Sequence, residues 1–191
     1  PLPPDIETIG SGPCPIFPRK KVWETHFLTL IPKGINLLKL RDLVIHPRKG
    51  KSVKVLTSSS REIEGKFSQA CSEKTYWALM TNDIIPDSRW MSDFEQEKRV
   101  SQFKEQGYEL CSIFEAAVSI SLKYVQTGMR FYATHPATYT RCKELECDYP
   151  KTTYILKIGG FTESSSGGEL YVYEGRYGAK KESGVALVRR F

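Results

Sequence analysis

The side chains with the most chemistry to offer are five cysteines, Cys14, Cys71, Cys111, Cys142 and Cys147, and three histidines, His26, His46 and His135. A thiol becomes a nucleophile when an imidazole stands beside it in space. Cys71, Cys111 or Cys142 with one of the histidines could form such a pair, with Cys111 or Cys142 the main candidates. Cys111 stands just before a predicted helix start, where the helix dipole favours a thiolate. No G-x-S-x-G marks a serine nucleophile. The chain has no C-x-x-C and no H-x-x-x-H, so the ligand spacing of a zinc site is missing. Glu144, Glu146 and Asp148 alternate, but no D-x-D-x-D-G calcium loop surrounds them. No metal and no cofactor is expected.

The stretch "GGFTESSSGGELYVYEGRYG", residues 159–178, invites a second chemistry, phosphate binding. A P-loop places a lysine after its last glycine, and here Glu169 follows Gly168. A dinucleotide fold needs a helix after the glycines, and "ELYVYEG" alternates like a strand instead. A carboxylate repels phosphate, and no helix N-terminus is on offer. The stretch reads as strand, exposed loop and strand, with the loop over 163–168. Leu170 and Val172 then face the core, and Tyr171 and Tyr173 face away. Long Gly/Ser loops flanked by aromatics often carry ligand surfaces. The expected contact surface is Trp90, Glu163, Tyr171, Tyr173, Arg176 and Tyr177.

These groups need a scaffold, and 191 residues suffice for one sizeable core. Hydrophobic residues make up 40% and charged ones 26%, as in an ordinary globular domain. No apolar run reaches the roughly 18 residues of a membrane span. Residues 1–18 are proline-rich and read as a linker or extended arm of a longer protein, with residues 19–191 as one globular domain. The net charge of +6 is uneven. Residues 19–54 carry ten Lys/Arg against two acids, and beyond them the signs balance. Such a segment could grip nucleic acid or another acidic surface; a solvated basic face is the simpler reading, so nucleic acid is not the expected partner. An odd number of cysteines in a chain of this size points to reduced thiols and a cytosolic setting. One bridge with three free thiols is the alternative.

Residues 22–31, "VWETHFLTLI", read as a first strand stopped by Pro32. Leu37, Leu40 and Val44 have helical spacing. Short strands are expected over 53–56 and 76–80. Ser92-x-x-Glu95 and Ser112-x-x-Glu115 are capping boxes that open helices over 94–106 and 113–127, closed by Gly107 and Gly128. The second helix is apolar around a wide face and must be central; the first offers only Phe94, Val100 and Phe103 and should be peripheral. Strands are expected over 154–158, 170–173 and 184–189. Arg141, in a strand-like context, reads either as a buried pairing arginine or as a surface charge. Helices mid-chain and strands at both ends predict an α+β fold with a mostly antiparallel sheet and two consecutive central helices. The first and last strands are expected side by side.

The blocks "YWALMTNDIIPDSR", "GYELCSIFEAA", "TYTRC", "GGF…SSGGELYV" and "GVALVRRF" together resemble a bacterial domain family of Chlamydia-like intracellular bacteria. More distantly, the arrangement is similar to a C-type-lectin-like domain. The matching pieces are "YELCSIFEAA" and "ALVRRF"; the calcium tripeptides E-P-N and W-N-D are absent, so calcium-dependent sugar binding does not carry over. The resemblance implies a fold and no more; the expected function is a non-catalytic domain of a larger bacterial protein, cytoplasmic or secreted into a host cell, that binds a protein or glycan through the loops around Trp90 and residues 159–178. A cysteine-dependent enzyme is the runner-up, and an acidic-surface binder through residues 19–54 comes third.

Overall fold

The computed structural model describes residues 1–57, 71–132, 137–148, 152–164, 167–176 and 183–191. The helices are α1 (Ile6–Ser11), α2 (Val22–Thr25), α3 (Leu37–Ile45), α4 (Asp93–Ser101) and α5 (Ile113–Thr127). The strands are β1 (His26–Ile31), β2 (Val53–Thr57), β3 (Tyr76–Thr81), β4 (Tyr108–Leu110), β5 (Tyr139–Asp148), β6 (Thr152–Ser164), β7 (Gly167–Arg176), β8 (Ser183–Val185) and β9 (Leu187–Arg190). The fold is α+β, and most strand pairs are antiparallel. The exceptions are β2 with β7 and β5 with β8, both parallel.

Among the described residues the strands form two sheets, ordered β1-β3-β9-β4 and β2-β7-β6-β5-β8. α5 packs against strands of both and against α3. Its face is wide for that reason: Ile113, Ala117, Ile120 and Tyr124 are buried, and so are Phe114, Val118 and Val125 beside them. The helix begins and ends where its capping signals put it. Ser112 accepts the Glu115 N–H at 3.1 Å, and Gly128, at φ 70°, returns its N–H to the Tyr124 carbonyl at 2.8 Å.

The four-stranded sheet is covered on both faces. Alternation along β3 sends Ala78 and Met80 toward α5 and Leu79 the other way. On that second face Leu79 meets Val22, Ile85, Tyr108 and Leu187, together with Ile6, Cys14 and Ile16 from residues 1–18. The proline-rich segment, expected as an extended arm, thus holds a one-and-a-half-turn helix whose Ile6 is 3% exposed. Its prolines flank the helix rather than interrupt it.

Three further expectations are corrected. Residues 22–25 are helical, because Glu24 reaches back to accept the Lys21 N–H and Thr25 Oγ1 donates to the carbonyls of Lys21 and Val22. The strand begins only at His26. β1 and β9 are not neighbours, since β3 lies between them and pairs with both. In α4, Phe94 faces solvent at 70% exposure, while Asp93, Gln96 and Val100 turn inward. Gln96 donates to the Ser88 carbonyl at 3.0 Å, which anchors that polar face. The helix ends at Ser101 and a 3-10 turn at Lys104–Gln106 leads to Gly107, at φ 81°.

Candidate functional site

The cysteine–histidine option meets an obstacle in burial. Cys111 and Cys142 are both fully buried in the main core. Burial pushes the Cys142 thiol well above the ordinary range, and the neighbouring Cys111 thiol adds to the effect. A thiol held protonated this way is a poor nucleophile. His26 is buried too, but on the opposite face of the four-stranded sheet, against the rings of Tyr108 and Phe17. His46 is exposed after α3 and His135 lies outside the described residues. Cys71 is exposed, Cys14 buried, and both are free thiols. Among the described residues no three His, Cys, Asp or Glu side chains gather as a metal would need.

The carboxylate once considered for calcium has a different task. Glu144 accepts the Ile113 N–H at 3.0 and 3.1 Å with its two oxygens. It thereby caps the first turn of α5 from another strand, where a negative charge suits the helix dipole. Burial raises its pKa. Arg141 is the buried pairing arginine of the two readings. At 2% exposure it donates to the Asp93 carbonyl at 2.7 Å and to Glu97 at 2.6 Å. Lys157, 1% exposed, donates to the Ser183 hydroxyl at 3.0 Å.

The expected contact surface divides. The hairpin of β6 and β7 forms, with Leu170 and Val172 fully buried and Tyr171 half-buried, but the loop expected over 163–168 is shorter, because Glu163 pairs with Gly168 and Ser164 with Gly167 in the ladder. Tyr171 donates to Glu169 at 3.1 Å. Glu163 is exposed, 4.0 Å from the Arg130 guanidinium. Tyr173 and Arg176 pair with Lys157 and Tyr154 through the β7 backbone, and Tyr177 lies outside the described residues. Trp90 is 63% exposed on the loop between β3 and α4. That loop packs against β8, where Ile84 and Ser88 crowd Gly184. β8 is three strands from β7, about 14 Å at the usual strand spacing. Trp90 and Tyr171 therefore do not form one patch.

A different concavity was not foreseen. Between α3, α5 and the edge strand β1 runs a groove of about 360 Å³, within the size range of small-molecule sites. Leu40 and Val44 of α3 and Val118, Leu122 and Val125 of α5 form its walls, and Leu30 of β1 stands at the side. Leu43 and Leu30 are exposed at 57% and 42%. The sequence held a partial signal. α3 carries more apolar residues than its inward stripe of Leu37, Leu40 and Val44 uses, and Leu43 is one of the surplus. A strand edge and two helix flanks meeting there is a tertiary fact that no local pattern reports.

A scan against protein-family models finds no match for the chain, and searches of curated proteins and of solved structures find none either. Among the described residues that line the groove there is no cysteine, serine, histidine, aspartate or glutamate. What they offer is apolar surface in a concave form, with Arg48 and Lys49 at one end.

Proposed function

We propose that this chain is a non-catalytic binding domain that takes an apolar chain into the groove between α3, α5 and β1. The observation that carries the reading is the groove itself, an open apolar concavity flanked by two exposed leucines. Surface leucines scattered singly are ordinary; two beside one concavity favour a ligand surface. The burial of Cys111 and Cys142 weighs against the cysteine-enzyme alternative. Free thiols at Cys14, Cys71, Cys111 and Cys142 support a reducing compartment, and among the described residues no helix is long and apolar enough to cross a membrane.

Methyl NMR during titration with octanol tests the reading. The Leu30, Leu43, Val118 and Leu122 methyls should shift together and saturate. Shifts confined to other regions, or none, would remove the groove as the binding site.

A second contact surface is favoured by Trp90. Its φ of 63° is costly for a bulky residue, and Asp87 three positions before has the same sign. Strain of this kind clusters at functional loops, and an exposed indole is a common anchor for protein or glycan ligands. Trp90→Ala should leave folding intact and weaken such a partner.

A further inference from the structure

We infer that the groove takes a single-chain amphiphile with an anionic head, its tail along α5 and its head at Arg48 and Lys49. The inference rests on the reading of the groove as a ligand site and adds the chemistry of the ligand. Among the described residues lining the groove, Arg48 and Lys49 are the charged ones, and both are cations. They follow α3, and the chain just after them runs against Val125, whose carbonyl lies beside Gly50 and accepts the Lys51 N–H, so they stand toward that end of the groove. Among the described residues neither forms an ion pair or a hydrogen bond, so both heads are open to a ligand.

The neighbouring Lys51 is differently employed. Its N–H donates to the Val125 carbonyl at 3.2 Å, and its ammonium lies 5.4 Å from the Tyr124 ring centroid. Lys51 thus serves the C-terminal end of α5. The C-termini of α3 and α5 each contribute roughly half a negative charge. Two full cations outweigh them, and the end of the groove stays positive. This gives part of the basic excess of residues 19–54 a specific task.

The groove also sets the tail. Val118 to Val125 is seven residue steps along α5, about 10 Å of helix axis. An alkyl chain advances rather less than one C–C bond, ~1.5 Å, per carbon. About eight carbons therefore fill the length. A volume of about 360 Å³ lies near the lower limit for ligand sites, which suits one chain rather than two.

Titration calorimetry of the full chain with straight-chain carboxylates of four to twelve carbons tests this, with octanol and octyltrimethylammonium as the uncharged and cationic controls. Affinity should rise about fourfold per methylene and level off near eight carbons. Octanoate should bind at least about tenfold more tightly than octyltrimethylammonium. The variant Arg48→Gln with Lys49→Gln should bring octanoate down to the level of octanol and leave octanol unchanged. Octanol binding with no preference for the carboxylate would overturn the anionic head while the groove reading stands. No binding of octanoate or octanol would overturn both.

Discussion

Glu115 and Arg190 meet in a bidentate ion pair, with Arg190 Nε donating to Oε1 at 2.5 Å and Nη2 to Oε2 at 2.8 Å. The carboxylate is 1% exposed and also accepts from the Tyr76 hydroxyl at 2.7 Å and the Ser112 N–H at 2.7 Å. One side chain therefore joins the first turn of α5 to β3 and β9. Removing one partner of a buried pair leaves the other uncompensated, at a cost of about 3–5 kcal/mol. Arg190→Ala, which strands the buried Glu115, should lose that much in urea unfolding; Glu115→Ala should lose less, because Arg190 is a quarter exposed and also pairs with Glu109, and the double variant should lose less than the sum of the two single ones. Burial alone would raise the Glu115 pKa, but the Arg190 hydrogen bonds and charge bring it below the ordinary glutamate value. Its stabilisation is therefore complete above that ordinary value and fades as pH falls through the depressed one.

His26 gives a second, separable acid sensitivity. Nδ1 lies 3.2 Å from the Val22 carbonyl and 2.9 Å from Thr25 Oγ1, so it carries the proton of the neutral ring. Nε2 is buried without a partner. Protonation would place a bare N–H and a charge there, and desolvation lowers the pKa to about 4. The neutral form is bound by the fold, so its contribution is whole above the unfolded value of about 6.5 and is lost as pH falls toward 4. The loss amounts to about 3 kcal/mol. His26→Phe should remove this segment of the stability–pH curve; an unchanged curve would show that His26 is hydrated and free to titrate.

Thiol labelling distinguishes binding from thiol catalysis. At neutral pH iodoacetamide should modify Cys71 quickly, because it is exposed, and should spare Cys14, Cys111 and Cys142 until the chain unfolds. Peptide mapping reads each site. Rapid labelling of Cys111 or Cys142 in the folded protein would restore the cysteine-enzyme alternative.

Gly160 tests how closely β5 and β6 must approach. Its φ is 56°, and a Cβ there would lie 2.2 Å from the Tyr139 hydroxyl oxygen. The register between β6 and β7 slips by one residue between Gly159 and Thr162, and Phe161 is buried with its ring 4.7 Å from that of Tyr124. Gly160→Ala should cost about 1–3 kcal/mol from the backbone alone, with the overlap added. Tyr139→Ala in the same chain should relieve the overlap but not the backbone cost.

The capping boxes at Ser92 and Ser112 and the glycines at 107 and 128 were readable because the donors and acceptors lie within one turn of each other. Partnerships across the chain were not. Glu144 caps Ile113 from 31 residues away, and Glu115 holds Arg190 from 75. In sequence Glu115 shows only its capping-box role and Glu144 only its place among alternating acids; the distant partners come with the fold. Residues 1–18 misled for another reason: prolines spaced around a six-residue helix look like a linker in composition, while the burial of Ile6 and Ile16 depends on a sheet face more than 50 residues further on. The candidate site was half legible. Leucine surplus in α3 and positive charge after it are visible in the sequence, but their convergence on α5 is not.

Ala186 alone separates β8 from β9, so the chain leaves one sheet and joins the other within a single residue. The crossing is held on both sides: Thr140 accepts the Ala186 N–H at 2.7 Å, and Thr81 accepts the Leu187 N–H at 3.1 Å from 106 residues away. β9 also fills the middle of its sheet, between β3 and β4. During synthesis, a nascent chain that has emerged only as far as β7 can pair β1 with β3 and β6 with β7, but β4 has no partner and β3 keeps an open edge. Such edges recruit other chains, and contacts this distant in sequence form slowly. The domain is therefore exposed to its own intermediates until β8 and β9 have left the ribosomal tunnel, which makes the interval before they emerge the time when a chaperone matters most.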